Sequence, residues 1–296
     1  GETLTAKNIV IATGARARSL PGLEIDGENI ITARHALELR EQPEAVAIIG
    51  ASAIGCEFAY YFNSYGVNVK MFEMLGHLVP REDEEVSVEL ERQFGRQGIE
   101  FATSASVSGV EKKDGRLAVQ YEVDGEKQEF ICDKVLLGVG VQPNTDGIGL
   151  ENVGITTAGP GFIEVDGNMR TNVSGVYAVG DVNGKLMLAH VAFDQGVVAA
   201  ETIAGHDVEP IEDYVNVPRC TYAQPQIASI GLTEAQAREN GINLKVGKVP
   251  FAVAGKSVAI GEPQGFVKVL TDDDSGEVVG AHIIGPEATE LIAEIG

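Results

Sequence analysis

The chain contains 296 residues, 44% of them hydrophobic and 22% charged, which is typical of a globular α/β protein with two or three domains and disfavours a disordered chain. Its formal net charge of −22 argues against nucleic acid and anionic lipid as partners, because both repel a strongly negative surface. No apolar run reaches the roughly 18 to 20 residues of a membrane-spanning helix, and the first ten residues lack the basic region and cleavage site of a secretory signal. We therefore expect a cytoplasmic protein with no membrane segment and no nucleic-acid partner.

The first predicted elements form two strand-containing units. Residues 7–14, KNIVIATG, form an apolar run that ends in a small-residue turn, which is typical of a parallel strand covered on both faces. A second buried strand, AVAIIG, begins at Ala45 and is followed by a predicted helix over residues 53–65, a stop at Gly66 and the strand VNVKMFE. This order predicts a βαβ unit.

The middle of the chain combines a helix with an antiparallel meander. Residues 82–97 carry an amphipathic helical pattern that ends at Gly98, and residues 107–110, 116–123 and 127–132 alternate between apolar and polar side chains. The apolar strand KVLLGVG at 134–140 repeats the pattern of KNIVIATG, and an Arg or Gln and a Pro follow each within a few residues. The repeat predicts two related nucleotide-binding units, one nested inside the other, with chance similarity of two buried strands as the alternative.

The last third changes character. YAVGDV at 177–182 follows Val176 as a predicted strand, and a small-residue helix then runs to Gly205. Beyond residue 214 the pattern predicts strands, a helix opened by the capping box Thr233–Gln236, and a hairpin over residues 266–285. We expect a separate α+β domain from about Asn216.

The sequence Gly50-Ala51-Ser52-Ala53-Ile54-Gly55 between a strand and a helix is the strongest local signal, because such a turn presents backbone N–H groups and a helix N-terminus to a pyrophosphate. Ser52 stands where glycine normally lets the backbone approach the phosphates, so weaker or shifted dinucleotide binding is expected, although serine is small and can itself form a hydrogen bond. Glu73 ends the next strand, where its carboxylate can accept both ribose hydroxyls and would repel a 2′-phosphate. These residues favour NAD over NADP, although Glu73 could be an ordinary strand-terminal glutamate.

The cysteines are not spaced as a redox pair. Cys56, Cys132 and Cys220 lie far apart, without CxxC or CxxxxC spacing, and have ordinary fold-forming neighbours. We expect three buried thiols and no metal site.

Four motifs in a fixed order carry a family resemblance. Ala12-Thr13-Gly14, the turn continuing into Cys56-Glu57, GVGVQPN at 138–144 and YAVGDV at 177–182 resemble the flavoprotein disulfide reductases. Within that family, residues 187–201 and 217–234 are most similar to the dihydrolipoamide dehydrogenases. The resemblance extends over the whole chain.

The resemblance implies an α/β fold in which a Rossmann-like NAD domain is nested in a partial FAD domain and followed by an α+β dimerisation domain. The expected boundaries are residues 1–42 for a partial FAD-binding segment and linker, 43–142 for the NAD domain, 143–215 for the returning FAD segment and 216–296 for part of the interface domain. A homodimer through this last domain is implied.

The resemblance also implies which residues bind the two cofactors. FAD would lie against Thr13, Gly14 and Ala15, with its ribityl chain at Asp181 and its isoalloxazine along Met187, Leu188, Ala189 and His190. NAD would lie against Gly50, Ala51, Ser52, Ala53, Ile54, Gly55, Cys56, Glu57, Glu73, Val107 and Gly140. The alternatives are a helix-cap role for Asp181, plain β-structure for Val107 and Gly140, and packing for His190.

Glu57 is the one residue here that the family places near the nicotinamide and flavin, where it can pair with a lysine of the FAD domain. Without the resemblance it is a favourable first-turn carboxylate. No catalytic residue is assigned in this chain beyond that possible role of Glu57.

Complete family members carry a CxxxxC disulfide and a His-Pro acid/base, and neither motif occurs in this sequence. The five histidines precede Ala, Leu, Val, Asp and Ile. The whole enzyme would pass electrons from a lipoamide-bearing protein through a disulfide and FAD to NAD⁺, and we expect this chain alone to be inactive. The alternatives are a mercuric or glutathione-type reductase and a non-catalytic NAD-binding or scaffold protein.

Overall fold

The computed structural model describes residues 2–296. The strands are, in chain order, β1 (Ile9–Ile11), β2 (Ala15–Ala17), β3 (Ile30–Ile31), β4 (Ala45–Ile49), β5 (Asn68–Phe72), β6 (Glu100–Ala102), β7 (Ser106–Lys113), β8 (Arg116–Val123), β9 (Glu126–Cys132), β10 (Lys134–Leu137), β11 (Val141–Pro143), β12 (Thr157–Ala158), β13 (Phe162–Ile163), β14 (Val176–Ala178), β15 (Arg219–Thr221), β16 (Gln226–Gly231), β17 (Leu244–Pro250), β18 (Phe266–Asp272) and β19 (Val278–Gly285). The α-helices are α1 (Ala33–Leu37), α2 (Ala53–Ser64), α3 (Glu84–Gln97), α4 (Leu150–Val153), α5 (Ala189–Ala204), α6 (Glu234–Glu239), α7 (Gly255–Ala259) and α8 (Ala288–Leu291).

The chain forms two compact units. The first contains residues 2–18 and 140–214, and the second contains Ser19–Val139 and Val215–Gly296. Every helix in the described part of the chain is too short or too polar to cross a bilayer.

The second unit is built on a parallel sheet with the order β3-β10-β4-β5-β6. All five residues of β4 are buried, and their side chains alternate between two apolar clusters. Val46 and Ile48 join the cluster that contains α2 and α3, whereas Ala47 and Ile49 join the cluster beneath the meander β7-β8-β9. The predicted buried strand is confirmed, and its apolar sequence reflects its coverage on both faces. The predicted βαβ unit is confirmed by the parallel pairing of β4 and β5, and the meander by the antiparallel pairing of β7, β8 and β9.

Local capping explains where the two long helices of this unit begin and end. Asp83 caps α3, with its side chain accepting from the N–H of Glu85, and Gly98 ends the helix with φ of 83°. Gly66 follows α2 with φ of 79°. The predicted helices are confirmed to within two residues at each end, since these stop signals are local.

The C-terminal part of the second unit is an antiparallel sheet with the order β15-β16-β19-β18-β17. The predicted hairpin is confirmed as β18 and β19, and α6 opens with the predicted capping box of Thr233 and Gln236. One face of the sheet contributes Ile227, Phe266 and Ile284 to the cluster around α2 and α3. The sheet and the parallel layer therefore share a core.

The first unit has smaller sheets. β1 pairs with β14 in parallel, and β2 pairs with β11 antiparallel. The expectation of a doubly covered strand at residues 7–14 was wrong for this chain: β1 spans three residues, with Ile9 54% and Val10 46% exposed. Its sheet has two strands, and the described residues of the unit leave these side chains uncovered.

Pairing of β2 with β11 relates the two similar segments noted in the sequence. Arg16 lies opposite Gln142, and Ala15 lies opposite Pro143. The stretches that follow KNIVIATG and KVLLGVG therefore pair with each other across about 125 residues of chain, as the register shows.

Candidate nucleotide-binding site

Two glycines, Gly50 and Gly55, allow close backbone packing in the turn between β4 and α2. Any other residue at either position would displace the neighbouring backbone. Gly50 has φ of 96°, and a Cβ atom built there would lie 2.5 Å from the carbonyl oxygen of Gly138. A Cβ atom at Gly55 would lie 2.0 Å from the carbonyl oxygen of Gly50. The backbone is therefore packed tightly under the first turn of α2, whose leading N–H groups have no acceptor within the helix.

Ser52 is the N-cap residue of α2. Its φ of −76° and ψ of −171° are ordinary extended values, and its side chain makes no capping hydrogen bond. The serine therefore introduces no backbone strain. Its exposed side chain stands beside N–H groups that can bind an anion.

Glu73 follows β5 and is fixed against the same turn. Its carboxylate is almost fully buried at 8% exposure; Oε2 accepts from the N–H of Ala51 at 2.8 Å and Oε1 accepts from the N–H of Leu75 at 2.9 Å. Each oxygen retains a second lone pair. The structure thus brings together the predicted residues Glu73 and Ala51, and orients a carboxylate at the carboxyl edge of the parallel sheet.

Cys56 lies below the turn as an inert thiol. It is completely buried, its Sγ donates to the carbonyl of Ala51 at 3.4 Å, and burial, together with the charges of Glu57 and Glu73, raises its pKa well above the usual range. Burial also raises the pKa of Cys132 to about 11. Cys220 is only half-buried, so the expectation of three buried thiols was wrong for this residue, which lies on the edge strand β15.

Glu57 connects α2 to the C-terminal sheet. Its Oε1 accepts from the backbone N–H of Tyr222 at 2.9 Å, just after β15. Burial raises the pKa of Glu57 even though this hydrogen bond lowers it. Nothing in the sequence indicated Tyr222, because a backbone donor 165 positions away carries no side-chain signature.

A cleft of about 540 Å³ opens beside Glu57. Its wall is largely aromatic and consists of Phe58, Tyr60, Tyr61, Tyr65 and Tyr222. The carboxylate is thus held at the margin of an apolar surface, where a neutral or positively charged group would be favoured beside it.

Val107 and Gly140 belong to different compact units. Val107 lies on β7 and is partly buried against the core beneath the meander. Gly140 has φ of 94°, and its carbonyl accepts from the N–H of Arg18 at 3.1 Å. The structure does not bring these two predicted contacts together within one unit.

The first unit contains the other predicted residues. Because β1 and β14 are parallel, the residues that follow them, Thr13-Gly14 and Gly180-Asp181, lie at the same edge of their sheet. Asn144 holds this edge: its side-chain amide donates to the Thr13 carbonyl and its N–H donates to the Gly14 carbonyl, both at 2.9 Å. Gly14 has φ of 70° with open space around it, and Ala15 begins β2.

Asp181 lies in a 3-10 turn, Gly180–Asn183, that leads towards α5. Met187 is 38% exposed and Leu188 caps α5, while Ala189 and His190 lie exposed in its first turn. A completely buried amide, Gln195, lies beneath the 3-10 turn. Sequence reasoning missed Gln195, although its position four residues from Val191 and Ala199 on the buried stripe of α5 was a usable signal.

Comparison with known proteins assigns this architecture. Residues 1–196 match the family model described as pyridine nucleotide-disulphide oxidoreductase, and residues 217–296 match the dimerisation domain of the same family. The dihydrolipoyl dehydrogenase of Mycobacterium leprae is 44% identical over 292 residues, which are 99% of this chain and 62% of that relative.

Two solved structures have the same fold. LpdA of Mycobacterium tuberculosis matches with a TM-score of 0.88 and 31% identity over 97% of this chain and 62% of its own. The HOCl-induced flavoprotein disulfide reductase RclA of Escherichia coli matches with a TM-score of 0.90 and 27% identity over 97% of this chain and 66% of its own. The predicted fold class is confirmed, and the chain spans 62% of the length of its Mycobacterium leprae relative.

Proposed function

Because this chain belongs to the pyridine nucleotide-disulphide oxidoreductase family, we propose that it supplies the NAD-binding turn and part of the FAD site of a dihydrolipoyl dehydrogenase. The whole enzyme would oxidise dihydrolipoamide on a lipoamide-bearing protein and reduce NAD⁺. The observation that carries the proposal is the Glu73 carboxylate, which is buried and fixed to the N–H of Ala51 in the turn between β4 and α2.

The turn fits the NAD pyrophosphate and ribose. The built Cβ positions at Gly50 and Gly55 collide with backbone, so the glycines are required for the close packing that exposes the leading N–H groups of α2. Each Glu73 oxygen has one lone pair left for a ribose hydroxyl. A 2′-phosphate would bring a second negative charge against this carboxylate, which favours NAD over NADP.

The edge shared by β1 and β14 fits part of an FAD site. Gly14 and Gly180 have φ of 70° and 76°, which lets the backbone turn away from the sheet, and the space around Gly14 is open to a ligand. In this proposal Thr13, Gly14 and Ala15 contact the flavin and Asp181 binds its ribityl chain. Met187, Leu188, Ala189 and His190 lie along the ring system. FAD, when bound, supplies the hydride relay between dithiol and nicotinamide.

Residues of this chain bind and orient cofactors in the proposal and do not perform the disulfide exchange. The sequence has no CxxxxC pair, and no histidine precedes proline. Cys56 and Cys132 are buried with raised pKa values, which keeps them protonated and unreactive at neutral pH. Glu57, near the aromatic cleft, is the proposed contact to the nicotinamide.

The match of residues 217–296 to the dimerisation domain supports a homodimer. We propose that this part of the chain forms the subunit contact and that the protein works in the cytoplasm. The described cysteines are all free thiols, which is consistent with a reducing compartment.

A second candidate is a different flavoprotein disulfide reductase, favoured by the match to RclA. Glutathione- and mercuric-type reductases belong to the same class. Members that use NADPH need basic residues where Glu73 stands, so this alternative is less well supported by the carboxylate at that position.

Titration of the protein with NADH and with NADPH, followed by the fluorescence of the reduced nicotinamide, tests the proposal. We expect NADH to bind at least about tenfold more tightly, because the lost ribose hydrogen bonds and the added repulsion exceed about 1.4 kcal/mol. Glu73→Gln should remove this preference, whereas Glu122→Gln, an exposed change on β8, should leave it. Equal affinity for both nucleotides in the unmodified protein would overturn the NAD assignment.

A further inference from the structure

The side chain of Gln195 binds the two ends of the 3-10 turn that contains Asp181. Its Oε1 accepts from the backbone N–H of Gly180 at 2.7 Å and from the side-chain amide of Asn183 at 2.8 Å. Gln195 has no exposed surface. One buried oxygen therefore satisfies the first N–H of the turn and fixes the side chain of its last residue.

One further contact orients this amide, and two others hold its partner Asn183. Gln195 Nε2 donates to the hydroxyl of Tyr214 at 3.0 Å, so the amide oxygen must face the turn. Burial raises the pKa of Tyr214, which keeps the hydroxyl protonated. Asn183 in turn donates to the Ala178 carbonyl at 3.3 Å and accepts from the N–H of Lys185 at 3.1 Å. The network thus runs from Tyr214 through Gln195 to both flanks of the turn.

A buried amide at this position lowers the stability of the fold unless its hydrogen bonds are satisfied. Val191, Gln195 and Ala199 are the buried residues of α5, and an unbonded amide among them would be destabilising. The turn also packs closely on the helix, since a Cβ atom built at Gly180 would lie 3.4 Å from the Cβ of Ala192. The partly buried N–H of Gly180 donates to the Gln195 side chain of α5.

We propose that Gln195 is a positioning residue for the flavin site, which holds the backbone of residues 180–185 so that Asp181 lies at the edge shared by β1 and β14. The flavin part of this inference rests on the proposed function. The hydrogen bonds that carry it lie within one compact unit. Gln195 acts through the turn and touches no reacting atom.

Three variants separate positioning from general stability. Gln195→Leu keeps the approximate volume and removes every hydrogen bond. Gln195→Glu keeps an acceptor for Gly180 and Asn183, and its second oxygen can accept from Tyr214, because a hydroxyl can rotate to donate. Ile203→Val shortens a partly buried side chain near the end of α5, in a core cluster of the same unit that contains no residue of the turn, and serves as the control for a loss of stability.

Amide hydrogen exchange of residues 178–186 is the first measurement, and FAD affinity by quenching of flavin fluorescence is the second. We expect Gln195→Leu to raise the exchange rate at Gly180 and Lys185 and to weaken FAD binding, each by about tenfold. This is the change that corresponds to the net free energy of roughly one lost hydrogen bond. Gln195→Glu should stay within about threefold of the unmodified protein, and Ile203→Val should not change exchange selectively in this turn.

The two hypotheses fail in different ways. Unchanged exchange in Gln195→Leu, or the same exchange pattern in Gln195→Leu and Ile203→Val, would overturn the positioning role. Local loss of protection in Gln195→Leu with full FAD affinity would overturn its link to the flavin. If the unmodified protein binds no FAD, the flavin link fails, the proposed function is still decided by the titration with NADH and NADPH, and the exchange data still decide whether Gln195 holds the turn.

Discussion

Ser52 occupies the position in the turn after β4 where glycine would give a phosphate its closest approach to the backbone. Its dihedral angles are ordinary, and it makes no capping bond that the helix depends on. We therefore expect a substitution of Ser52 to change ligand affinity more than the stability of the fold.

We predict that Ser52→Gly tightens NADH binding by about two- to tenfold, or about 0.4–1.4 kcal/mol, because a side chain is removed from beside the pyrophosphate. The free energy of unfolding should change by only a few tenths of a kcal/mol. Calorimetric titration and urea unfolding measure the two effects. Weaker binding would show instead that the Ser52 hydroxyl itself bonds a phosphate oxygen.

At the scale of elements, the start of α3 is joined to the C-terminal sheet through Lys268. This ammonium is 1% exposed and contacts the carboxylates of Asp83, Glu85 and Glu234 at 2.7–2.8 Å. Burial alone would raise the pKa of Asp83, but the hydrogen bonds from Lys268 and from the N–H of Glu234 lower it. All three ammonium donors are thus satisfied by three elements: the α3 cap, α3 and α6.

Replacing Lys268 with Met should lower the free energy of unfolding by about 3–5 kcal/mol, because the buried carboxylate of Asp83 loses its counter-charge. Lys248→Met provides the matched control. Lys248 lies opposite Lys268 on β17, contacts Glu85 and is 39% exposed, so its loss should cost about 1 kcal/mol or less. Denaturant unfolding of both variants checks the difference, and equal losses would contradict it.

His282 lies next to Lys268 on β19 and is completely buried. Burial lowers its pKa from 6.5, although the bond to the Leu232 carbonyl and the charges of Asp83 and Glu82 oppose this shift. Asp83, with its lowered pKa, remains ionised in the same pH range. The imidazole is therefore neutral in the folded protein at pH values where it would already be charged in the unfolded chain.

Stability should consequently be retained above pH 6.5 and fall as the pH drops below it, because the unfolded state then binds more protons, with a limiting slope of about 1.4 kcal/mol per pH unit. His282→Gln should flatten this slope in urea unfolding between about pH 7 and 5. His206→Gln, at an exposed position, is the control. A slope that survives in His282→Gln would assign the effect to another group.

At the scale of the whole molecule, the net charge of −22 is the largest electrostatic feature. Like charges repel across the surface, and salt screens that repulsion with a Debye length of about 10 Å at 0.1 M. Surface repulsion therefore opposes the compact state most at low ionic strength.

Raising sodium chloride from about 10 to 200 mM should increase the Tm by about 2–4 °C, the shift that corresponds to roughly 1 kcal/mol in a chain of this size. The increase should shrink close to the carboxylate pKa of about 4, where the net charge is smaller. Scanning calorimetry at neutral pH and at about pH 4 measures the change in Tm with salt. A Tm that falls with salt at neutral pH would mean that attractive ion pairs outweigh the repulsion.

Much of the fold followed from local patterns. The buried strand from Ala45, the capping box of α6 and the hairpin of β18 and β19 were predicted correctly, and the ends of α2 and α3 to within two residues, because each depends on side chains within one element. β1 was predicted to be covered on both faces and is exposed, because burial depends on which layers pack against a strand and not only on the amino-acid sequence of the strand.

The candidate site divides in the same way. The sequence by itself determined the turn at Gly50–Gly55, the carboxylate at Glu73 and the family, because these are short motifs with fixed spacing. Only the tertiary structure decided that Glu73 bonds Ala51, that Glu57 bonds Tyr222 and that Gln195 holds the Asp181 turn. Such contacts join backbone donors to side chains from 15 to 165 residues away. Every residue except proline has a backbone N–H, so the sequence does not indicate which N–H a side chain will bind in the folded chain.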